Sequence, residues 1–380
     1  MPDRRESMKI GILGCGVISN TYIQEIQRIY EKTLEIVAVA DMDQARAKAT
    51  AGKYQVPEAL TVEELLAHKD IQLIVNLTPP MAHKELNMRI LESGKHLFCE
   101  KPFALTVEDA QEVAQLAEEK GLHIGAAPDT FLTAPIQSCR KLLEDGWIGK
   151  PLYVTANMMS PGVETWHPSP RAFYAKGGGP LYDMAGYYLS TLICLFGPVG
   201  EVFAYSGKAF EERRIYSKPL AGSTVKVEVP THYTAVLKMQ NGVLVNMNMS
   251  FDIWYSTLPK MEIYGTDGTM TMPDPNMSDG KASIFRKEQV IAGAYGVQGE
   301  QKSYEMPLRN QNVAEYTRGT GVAELALAIE TGKKNRANVG MAIHILEVIQ
   351  GMMKSANTDS CYKMQTTCEQ PPMWDWMEAN

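Results

Sequence analysis

Several features that define other classes of protein are missing from this sequence of 380 residues. No apolar run approaches the roughly 18 residues that a transmembrane helix needs, so no membrane partner is expected. Acidic residues outnumber basic ones by 44 to 37, and the net charge of −7 argues against nucleic acid as a partner. The N-terminus lacks the apolar segment of a secretion signal, which predicts a cytoplasmic location.

The cysteines and histidines show no disulfide or metal-binding pattern. The six cysteines are Cys15, Cys99, Cys139, Cys194, Cys361 and Cys368. No two of them form a Cys-x-x-Cys pair, so we expect reduced thiols. No histidines have the spacing of zinc ligands, and no metal is predicted.

The first apolar run leads into a glycine-rich turn, GCGVIS. Lys9–Leu13 predicts a strand, Gly14 allows a tight turn, and Gly16 lets a pyrophosphate approach the backbone. Val17 and Ile18 follow the glycines as further candidate cofactor contacts, and the N-terminus of the helix expected from about Asn20 offers unpaired N–H groups to that phosphate. Alone, the motif is also typical of an ordinary strand-to-helix turn.

An acidic residue follows the second predicted strand. Asp41 lies at the distance from the glycines where a dinucleotide-binding fold places the acid that binds the ribose hydroxyls. Because its charge repels a 2′-phosphate and Met42 follows rather than an arginine, NAD is predicted over NADP. The alternative is that Asp41 caps the helix that begins near Gln44.

Two further strand ends carry candidate cofactor contacts. Thr78 and Pro79 follow the third strand, and His83 is expected to open the next helix after two prolines have stopped any earlier start. Glu100 and Lys101 end the following strand, where the nicotinamide is expected to lie.

Strands and helices alternate throughout the first third of the chain. The expected strands are 9–13, 34–40, 71–77, 94–99 and 122–126, and helices are expected over 20–30, from 44, from 83 and over 108–120. This alternation predicts an α/β Rossmann domain over residues 1–126, with ligands at the carboxyl ends of parallel strands.

Residues 127–380 show a different pattern. Segments 152–159, 231–239, 243–251 and 260–264 are typical of strands, and Asn241-Gly242 predicts a hairpin between two of them. We expect an α+β domain with a large, open, mainly antiparallel sheet, with one free face for a partner subunit. Helices over 322–331 and 341–355 are expected to pack back on the rest of the structure, including the first domain.

GCGVIS, the TPP…H turn, CEKP and GGGPLYDMAGYYLS together resemble the Gfo/Idh/MocA family of sugar and cyclitol oxidoreductases. The resemblance extends to DGWIGKP and to the C-terminal RGTGVAELALAI, and it covers nearly the whole chain. It implies an N-terminal dinucleotide fold, a C-terminal open sheet, and homodimers or homotetramers that form through that sheet.

The resemblance also implies catalytic roles. Lys101 matches the lysine that contacts the reacting hydroxyl, and Asp183 matches an aspartate that orients substrate. The family usually has an acid/base histidine four residues after that aspartate, but this chain has Tyr187, as some members do. In a helix, residues 183 and 187 lie on one face, and a nearby lysine cation would let a tyrosine act as a base.

Other residues compete for the same roles. His167 is the alternative titrating group, and Trp166 suits stacking on a sugar ring. Asp129 occupies a place where family members carry substrate contacts. Whether Tyr187 or His167 is the acid/base stays open at the level of sequence.

The resulting hypothesis is an NAD(H)-dependent oxidoreductase acting on a ring hydroxyl or ketone of a sugar, glycoside or cyclic polyol. A dinucleotide-binding sensor without activity is the first alternative. The second is a glycosidase in which bound NAD transiently oxidises a ring carbon.

Overall fold

The computed structural model describes residues 7–294, 302–309 and 317–374. These residues form two compact units. The first unit contains 7–132, 317–346 and 371–374, and the second contains 133–294, 302–309 and 347–370.

The first unit is built on a six-stranded parallel sheet in the order β3-β2-β1-β4-β5-β6. Its strands are β1 Met8–Leu13, β2 Leu34–Ala40, β3 Glu58–Leu60, β4 Leu73–Asn76, β5 His96–Cys99 and β6 Ile124–Ala126. Its helices are α1 Val17–Ile29, α2 Gln44–Tyr54, α3 Val62–Ala67, α4 Pro80–Glu92 and α5 Val107–Glu119. The central strands are apolar and buried on both faces, as expected for a parallel sheet covered by helices. The predicted α/β fold of this part is confirmed.

Two helix starts differ from the predictions. α1 begins at Val17 rather than at residue 20, because the chain becomes helical directly after Gly16. α4 begins at Pro80 rather than at His83. Proline suits the first helical position, where its missing N–H has no partner to lose and its φ is already helical.

A late part of the chain contributes to the core of the first unit. Helix α9, Thr320–Thr331, places Val322, Ala323 and Leu325 among the buried side chains that surround β1 and β4. This helix therefore packs against the parallel sheet of its own unit.

The second unit contains a nine-stranded mixed sheet and a separate two-stranded one. Its strands are β7 Pro151–Met159, β8 Val199–Gly207, β9 Glu212–Arg214, β10 Thr224–Lys226, β11 His232–Met239, β12 Leu244–Ser250, β13 Met261–Gly265, β14 Gly268–Met272, β15 Ser283–Arg286, β16 Tyr304–Glu305 and β17 Tyr362–Lys363. The large sheet has the order β16-β15-β14-β13-β7-β12-β11-β8-β17, and only the pair β7/β12 is parallel among these neighbours. The predicted open, mainly antiparallel sheet is confirmed.

Four further α-helices lie within the described residues. They are α6 Ala134–Glu144, α7 Gly186–Phe196, α8 Lys287–Ala294 and α10 Val339–Thr358, the last of which is divided between the units after Leu346. All residues of α7 are buried, so this helix lies in the interior of its unit. Within the described ranges, no helix has both the length and the apolar character to cross a membrane.

The predicted hairpin is present. β11 and β12 are antiparallel neighbours, and Gly242 between them has a φ of +91°. Buried and exposed residues alternate along β11, so one face of the sheet is covered and the other is open.

Candidate active site

The glycine-rich loop lies against the end of β4. Gly14 has a φ of +99°, and a Cβ there would be 2.8 Å from the carbonyl carbon of Leu77. By contrast, a Cβ at Gly16 would meet nothing within 4 Å, so space is open at the start of α1. No side chain among the described residues caps α1, which leaves N–H groups of its first turn, including those of Val17 and Ile18, for a ligand. This arrangement fits a pyrophosphate.

Asp41 is buried at the end of β2, beside the same loop. Its Oδ2 accepts the Cys15 N–H at 2.8 Å, and its Oδ1 accepts the Asp43 N–H at 2.8 Å. Asp43, rather than Asp41, caps α2. The carboxylate of Asp41 is therefore held at the edge of the sheet, where its remaining lone pairs suit ribose hydroxyls.

Arg46 is a residue that the reasoning from sequence missed. Its Nη1 lies 3.5 Å from Asp41 Oδ2, and its Nη2 lies 3.4 Å from Asp43 Oδ2. The only sequence signal is its position in the first turn of α2, five residues after Asp41. A cation here partly offsets the negative charge that would repel a 2′-phosphate.

His83 joins two loops at the carboxyl ends of neighbouring strands. Its Nε2 is 2.7 Å from the Thr78 carbonyl oxygen, and its Nδ1 is 2.7 Å from the Pro102 carbonyl oxygen. The Thr78 hydroxyl donates to Asn76 Oδ1 at 2.7 Å, and Pro79 precedes α4 as its N-cap. His83 is fully buried, so it positions the loops around the predicted cofactor site rather than lining open space.

Glu100 and Lys101 follow β5. The Glu100 carboxylate accepts the Lys101 backbone N–H at 2.8 Å and the Tyr22 hydroxyl at 2.9 Å. Glu100 is buried, while Lys101 is partly exposed. The carboxylate thus holds the backbone from which the Lys101 side chain projects.

Asp129 lies in a buried charged cluster of the first unit. Its Oδ2 accepts the Gly321 N–H at 2.5 Å, and the buried Arg318 guanidinium acts on it electrostatically. Burial raises the pKa of the Asp129 carboxyl, although the Gly321 bond and Arg318 oppose that rise. Its role as a substrate contact stays a prediction. Arg318 had no sequence signal beyond its place in the C-terminal RGTG.

The parallel sheet therefore gathers one set of predicted residues. Gly14, Asp41, Thr78 and Lys101 follow β1, β2, β4 and β5, which are adjacent in the sheet. The carboxyl ends of adjacent parallel strands share one edge, where a dinucleotide fold binds its ligand.

The second unit holds the other predicted residues, beginning with the three glycines. Gly177 and Gly179 have φ values of +85° and +89°. A Cβ at Gly178 would be 2.6 Å from the Ala172 carbonyl oxygen and 2.7 Å from the Phe173 carbonyl carbon. The flexible tripeptide is therefore needed for two left-handed residues and one close backbone approach.

Asp183 and Tyr187 lie on either side of a change in helix type. Leu181–Ala185 forms a π-helical turn, and α7 begins at Gly186. The shared face predicted for residues 183 and 187 assumes a helix, and in the structure a wider turn precedes the α-helical residues. Tyr187 is buried, and its carbonyl oxygen accepts the Ser190 hydroxyl at 3.1 Å. π-Turns inside helices are frequent at functional sites.

His167 and Trp166 lie in the same unit as Asp183. His167 Nδ1 accepts the Ser169 N–H at 3.0 Å, which places the proton of the neutral ring on Nε2. Burial lowers the pKa of His167, and the charge of Asp183 only partly offsets this effect. Trp166 is 67% exposed, and its ring meets that of His167 edge-on at 5.3 Å. The structure thus brings an exposed aromatic face, an imidazole and a carboxylate into one neighbourhood.

No group of three or more His, Cys, Asp or Glu side chains within the described part of the chain is arranged to hold a metal ion. The cysteines are free thiols, and four of them are buried.

Two family models match this chain. The model described as "Oxidoreductase family, NAD-binding Rossmann fold" covers residues 8–127, and the GFO/IDH/MocA C-terminal domain covers residues 136–271. The chain belongs to the GFO/IDH/MocA family, and it is an oxidoreductase with an NAD-binding Rossmann domain.

Named relatives agree with this class. The trans-1,2-dihydrobenzene-1,2-diol dehydrogenase of Bos taurus is 24% identical over 318 residues, which are 83% of this chain and 85% of that enzyme. The 1,5-anhydro-D-fructose reductase of Ensifer adhaerens is 24% identical over 362 residues, 94% of this chain and 98% of that enzyme. The solved aldose-aldose oxidoreductase from Caulobacter crescentus, complexed with glycerol, shares the fold with a TM-score of 0.75 at 19% identity, over 94% of this chain and all of that one (100%).

Proposed function

We propose that this protein transfers a hydride between NAD(H) and a ring hydroxyl or ketone of a cyclic polyol, sugar or glycoside. The observation that carries the proposal is the shared sheet edge, where the open glycine loop, Asp41, Thr78 and Lys101 follow adjacent strands. The relatives named above act on a cyclic diol and an anhydrosugar, which supports this substrate class.

Cofactor preference depends on Asp41. Its buried carboxylate is oriented by two backbone N–H groups, which supports recognition of ribose hydroxyls and a preference for NAD. Arg46 is the opposing influence, because a half-exposed guanidinium beside Asp41 can accompany a 2′-phosphate. We therefore expect NAD to be preferred by a smaller factor than Asp41 alone would give.

Bound NAD⁺ supplies the hydride acceptor, and the residues of this chain must handle the hydroxyl proton. We assign Lys101 to the reacting oxygen and Tyr187 to proton transfer. His167 suits a different role, because its Nδ1 lone pair is used by Ser169 and its Nε2 carries the proton. In that state His167 donates a hydrogen bond to a substrate oxygen and accepts no proton. Asp183 orients the substrate, and Trp166 offers a stacking surface.

The function is tested with purified protein and a substrate panel. The panel contains trans-1,2-dihydrobenzene-1,2-diol, myo-inositol and levoglucosan with NAD⁺ or NADP⁺, and 1,5-anhydro-D-fructose with NADH or NADPH. Stoichiometric change in nicotinamide absorbance supports the proposal. Cleavage of an aryl glycoside without net NADH indicates a redox-assisted glycosidase instead, and tighter binding of NADP than NAD contradicts the role of Asp41.

Three substitutions test the assigned roles. Lys101→Met should lower kcat at least about 10²-fold, the usual scale for removing one group that stabilises charge on a reacting oxygen, with NAD affinity kept. Tyr187→Phe should lower kcat and kcat/KM together, because the ring remains but the proton acceptor is lost. His167→Asn should mainly raise KM. A larger kcat loss in His167→Asn than in Tyr187→Phe would reverse the two assignments.

We also propose that copies of this chain associate through the open face of the large sheet. The support is the row of apolar side chains that this face exposes, including Tyr205, Val236 and Leu244.

A further inference from the structure

A buried ionic cluster in the second unit is formed by residues that the proposed function does not use. Arg213 on β9 donates from Nε to Glu164 Oε1 at 2.7 Å and from Nη1 to Asp252 Oδ1 at 2.6 Å. The side chains of Arg213, Glu164 and Asp252 are only 5%, 2% and 8% exposed. Ions removed from water at this depth need excellent geometry, because their desolvation is costly.

The geometry of Arg213 meets that requirement. Its Nη2 donates to the Pro161 carbonyl oxygen at 2.6 Å and to the Phe251 carbonyl oxygen at 2.9 Å. Its guanidinium carbon also lies 5.5 Å from the centre of the Tyr174 ring. A planar fork with several fixed donors is a property of arginine that lysine does not share.

Both carboxylate oxygens of Asp252, the second acid of the cluster, accept hydrogen bonds. Asp252 Oδ2 accepts the Thr231 hydroxyl at 2.7 Å and the Ala209 N–H at 3.3 Å. Glu164 Oε2 accepts the Tyr174 hydroxyl. Burial, together with this bond to Glu164, raises the pKa of Tyr174, so the phenol stays a donor.

These contacts converge on one stretch of chain, residues 160–176, which we term the Trp-His segment. Arg213 holds it near its start at Pro161 and Glu164, and Tyr174 holds it near its end. Gly162 has a φ of +100°, and a Cβ there would lie 2.5 Å from the Tyr174 hydroxyl oxygen and 2.9 Å from Arg213 Nη2. The backbone of the segment is thus packed directly on the cluster.

The chain between β9 and β10 adds a second attachment. The backbone N–H groups of Tyr216 and Ser217 both donate to the Glu164 carbonyl oxygen, at 3.0 and 3.1 Å. The Ser217 hydroxyl donates to the His167 carbonyl oxygen at 2.5 Å. The small β9/β10 sheet therefore acts as a support for the segment that presents Trp166 and His167.

We propose that Arg213 is a positioning residue for substrate binding, which fixes the Trp-His segment through Glu164, Asp252 and Tyr174. The inference rests on the proposed function, in which Trp166 and His167 contact the substrate. Arg213 itself touches neither the reacting atoms nor the cofactor in this assignment.

The test compares Arg213→Lys with Arg214→Lys, its exposed neighbour on β9. Amide hydrogen exchange of the intact chain is measured without ligand. Arg213→Lys should speed amide exchange in residues 161–174 at least about tenfold and leave the exchange rates of β11 and β12 unchanged. Lysine keeps the positive charge but lacks the planar guanidinium with its several fixed donors. Arg214→Lys should match the wild type. If Arg213→Lys does not fold, Asp252→Asn, which keeps the side-chain shape, takes its place.

Kinetics with the panel member that the wild type turns over best completes the test. Arg213→Lys should raise KM at least about fivefold, with kcat and NAD affinity within about twofold of the wild type. Unchanged exchange or unchanged KM overturns the inference. Trp166→Ala distinguishes a failure of the positioning role of Arg213 from a failure of the proposed function. If Trp166→Ala raises KM while Arg213→Lys does not, only the positioning role is wrong. If neither variant raises KM, the substrate role of Trp166 in the proposed function is wrong as well.

Discussion

At the scale of single residues, His83 carries the most informative geometry in the first unit. Carbonyl oxygens only accept hydrogen bonds, and each ring nitrogen of His83 faces one at 2.7 Å. Both nitrogens must therefore carry protons, so the buried ring is an imidazolium. Burial alone would lower the pKa of His83, but the Cys99 sulfur and the two carbonyls outweigh it and raise the pKa to about 9.

This charge state predicts a specific pH dependence of stability. The folded pKa lies above the ordinary value of 6.5, so the stabilisation is fully present below about pH 6.5 and is lost as pH rises through about 9. At about 1.4 kcal/mol per pKa unit, the loss amounts to about 3 kcal/mol. Urea unfolding between about pH 6 and pH 10 should show this loss in the wild type and not in His83→Gln.

Cys99 lies beside the ring and contributes to its pKa, so the comparison needs controls. Cys99→Ser retains His83 and both carbonyl partners but removes the sulfur that raises the pKa of the ring, so its pH-dependent loss should be smaller than in the wild type. His68→Gln, at a histidine away from the Thr78 and Pro102 carbonyls, should behave as the wild type. Parallel pH curves for the wild type and His83→Gln would show that His83 is neutral in the folded protein.

At the scale of elements, the glycine turn lies between the Trp-His segment and the π-turn that precedes the helix carrying Tyr187. Phe173 packs edge-on against His167, with ring centres 4.9 Å apart. The missing Cβ of Gly178 is what lets the chain pass close to the carbonyl group of Phe173. The turn therefore sets the position of the Trp-His segment as well as the start of the helix that carries Tyr187.

Two alanine substitutions separate backbone strain from crowding. Gly177→Ala places a side chain in open space at a positive φ and should cost about 1–2 kcal/mol of unfolding free energy. Gly178→Ala pushes a Cβ into backbone atoms and should cost about 1–3 kcal/mol. Only Gly178→Ala should also raise KM, because it displaces Phe173 and hence His167. Equal kinetics in the two variants would contradict this link.

At the scale of the whole molecule, each unit uses its sheet differently. The parallel sheet of the first unit is covered on both faces and exposes its carboxyl edge. The large sheet of the second unit leaves one face open, where Val236 and Tyr205 are 48% and 58% exposed. Exposed apolar side chains on an open sheet face are typical of a subunit interface.

The proposed association makes the final prediction. Val236→Lys places a charge on the open face and should weaken self-association at least about tenfold, because burying an unpaired charge is costly. Leu258→Lys, at an exposed apolar residue outside the strands, is the matched control. Analytical ultracentrifugation over a concentration series measures both. A monomeric wild type, or equal association of the two variants, would contradict the proposed interface.

Local pattern determined much of this protein. Apolar runs bounded by glycine and proline were enough to predict β1, β2, β7 and the hairpin of β11 and β12, because period and turn chemistry are encoded in neighbouring residues. The same holds for the family, whose motifs lie in short stretches. The roles of the predicted site residues stay predictions, because they depend on a bound substrate and cofactor. The predicted domain boundaries also stay predictions.

Only the tertiary structure decided which charges meet. Arg46 and Asp41 are five residues apart, but Arg213 lies 49 residues from Glu164, and Asp129 lies 192 residues from Gly321. Such partners leave no periodic signal, because their pairing is set by packing and burial rather than by local propensity. The tautomer of His167 and the charge of His83 follow from the same cause, since each depends on hydrogen-bond partners that the folded chain brings to the ring.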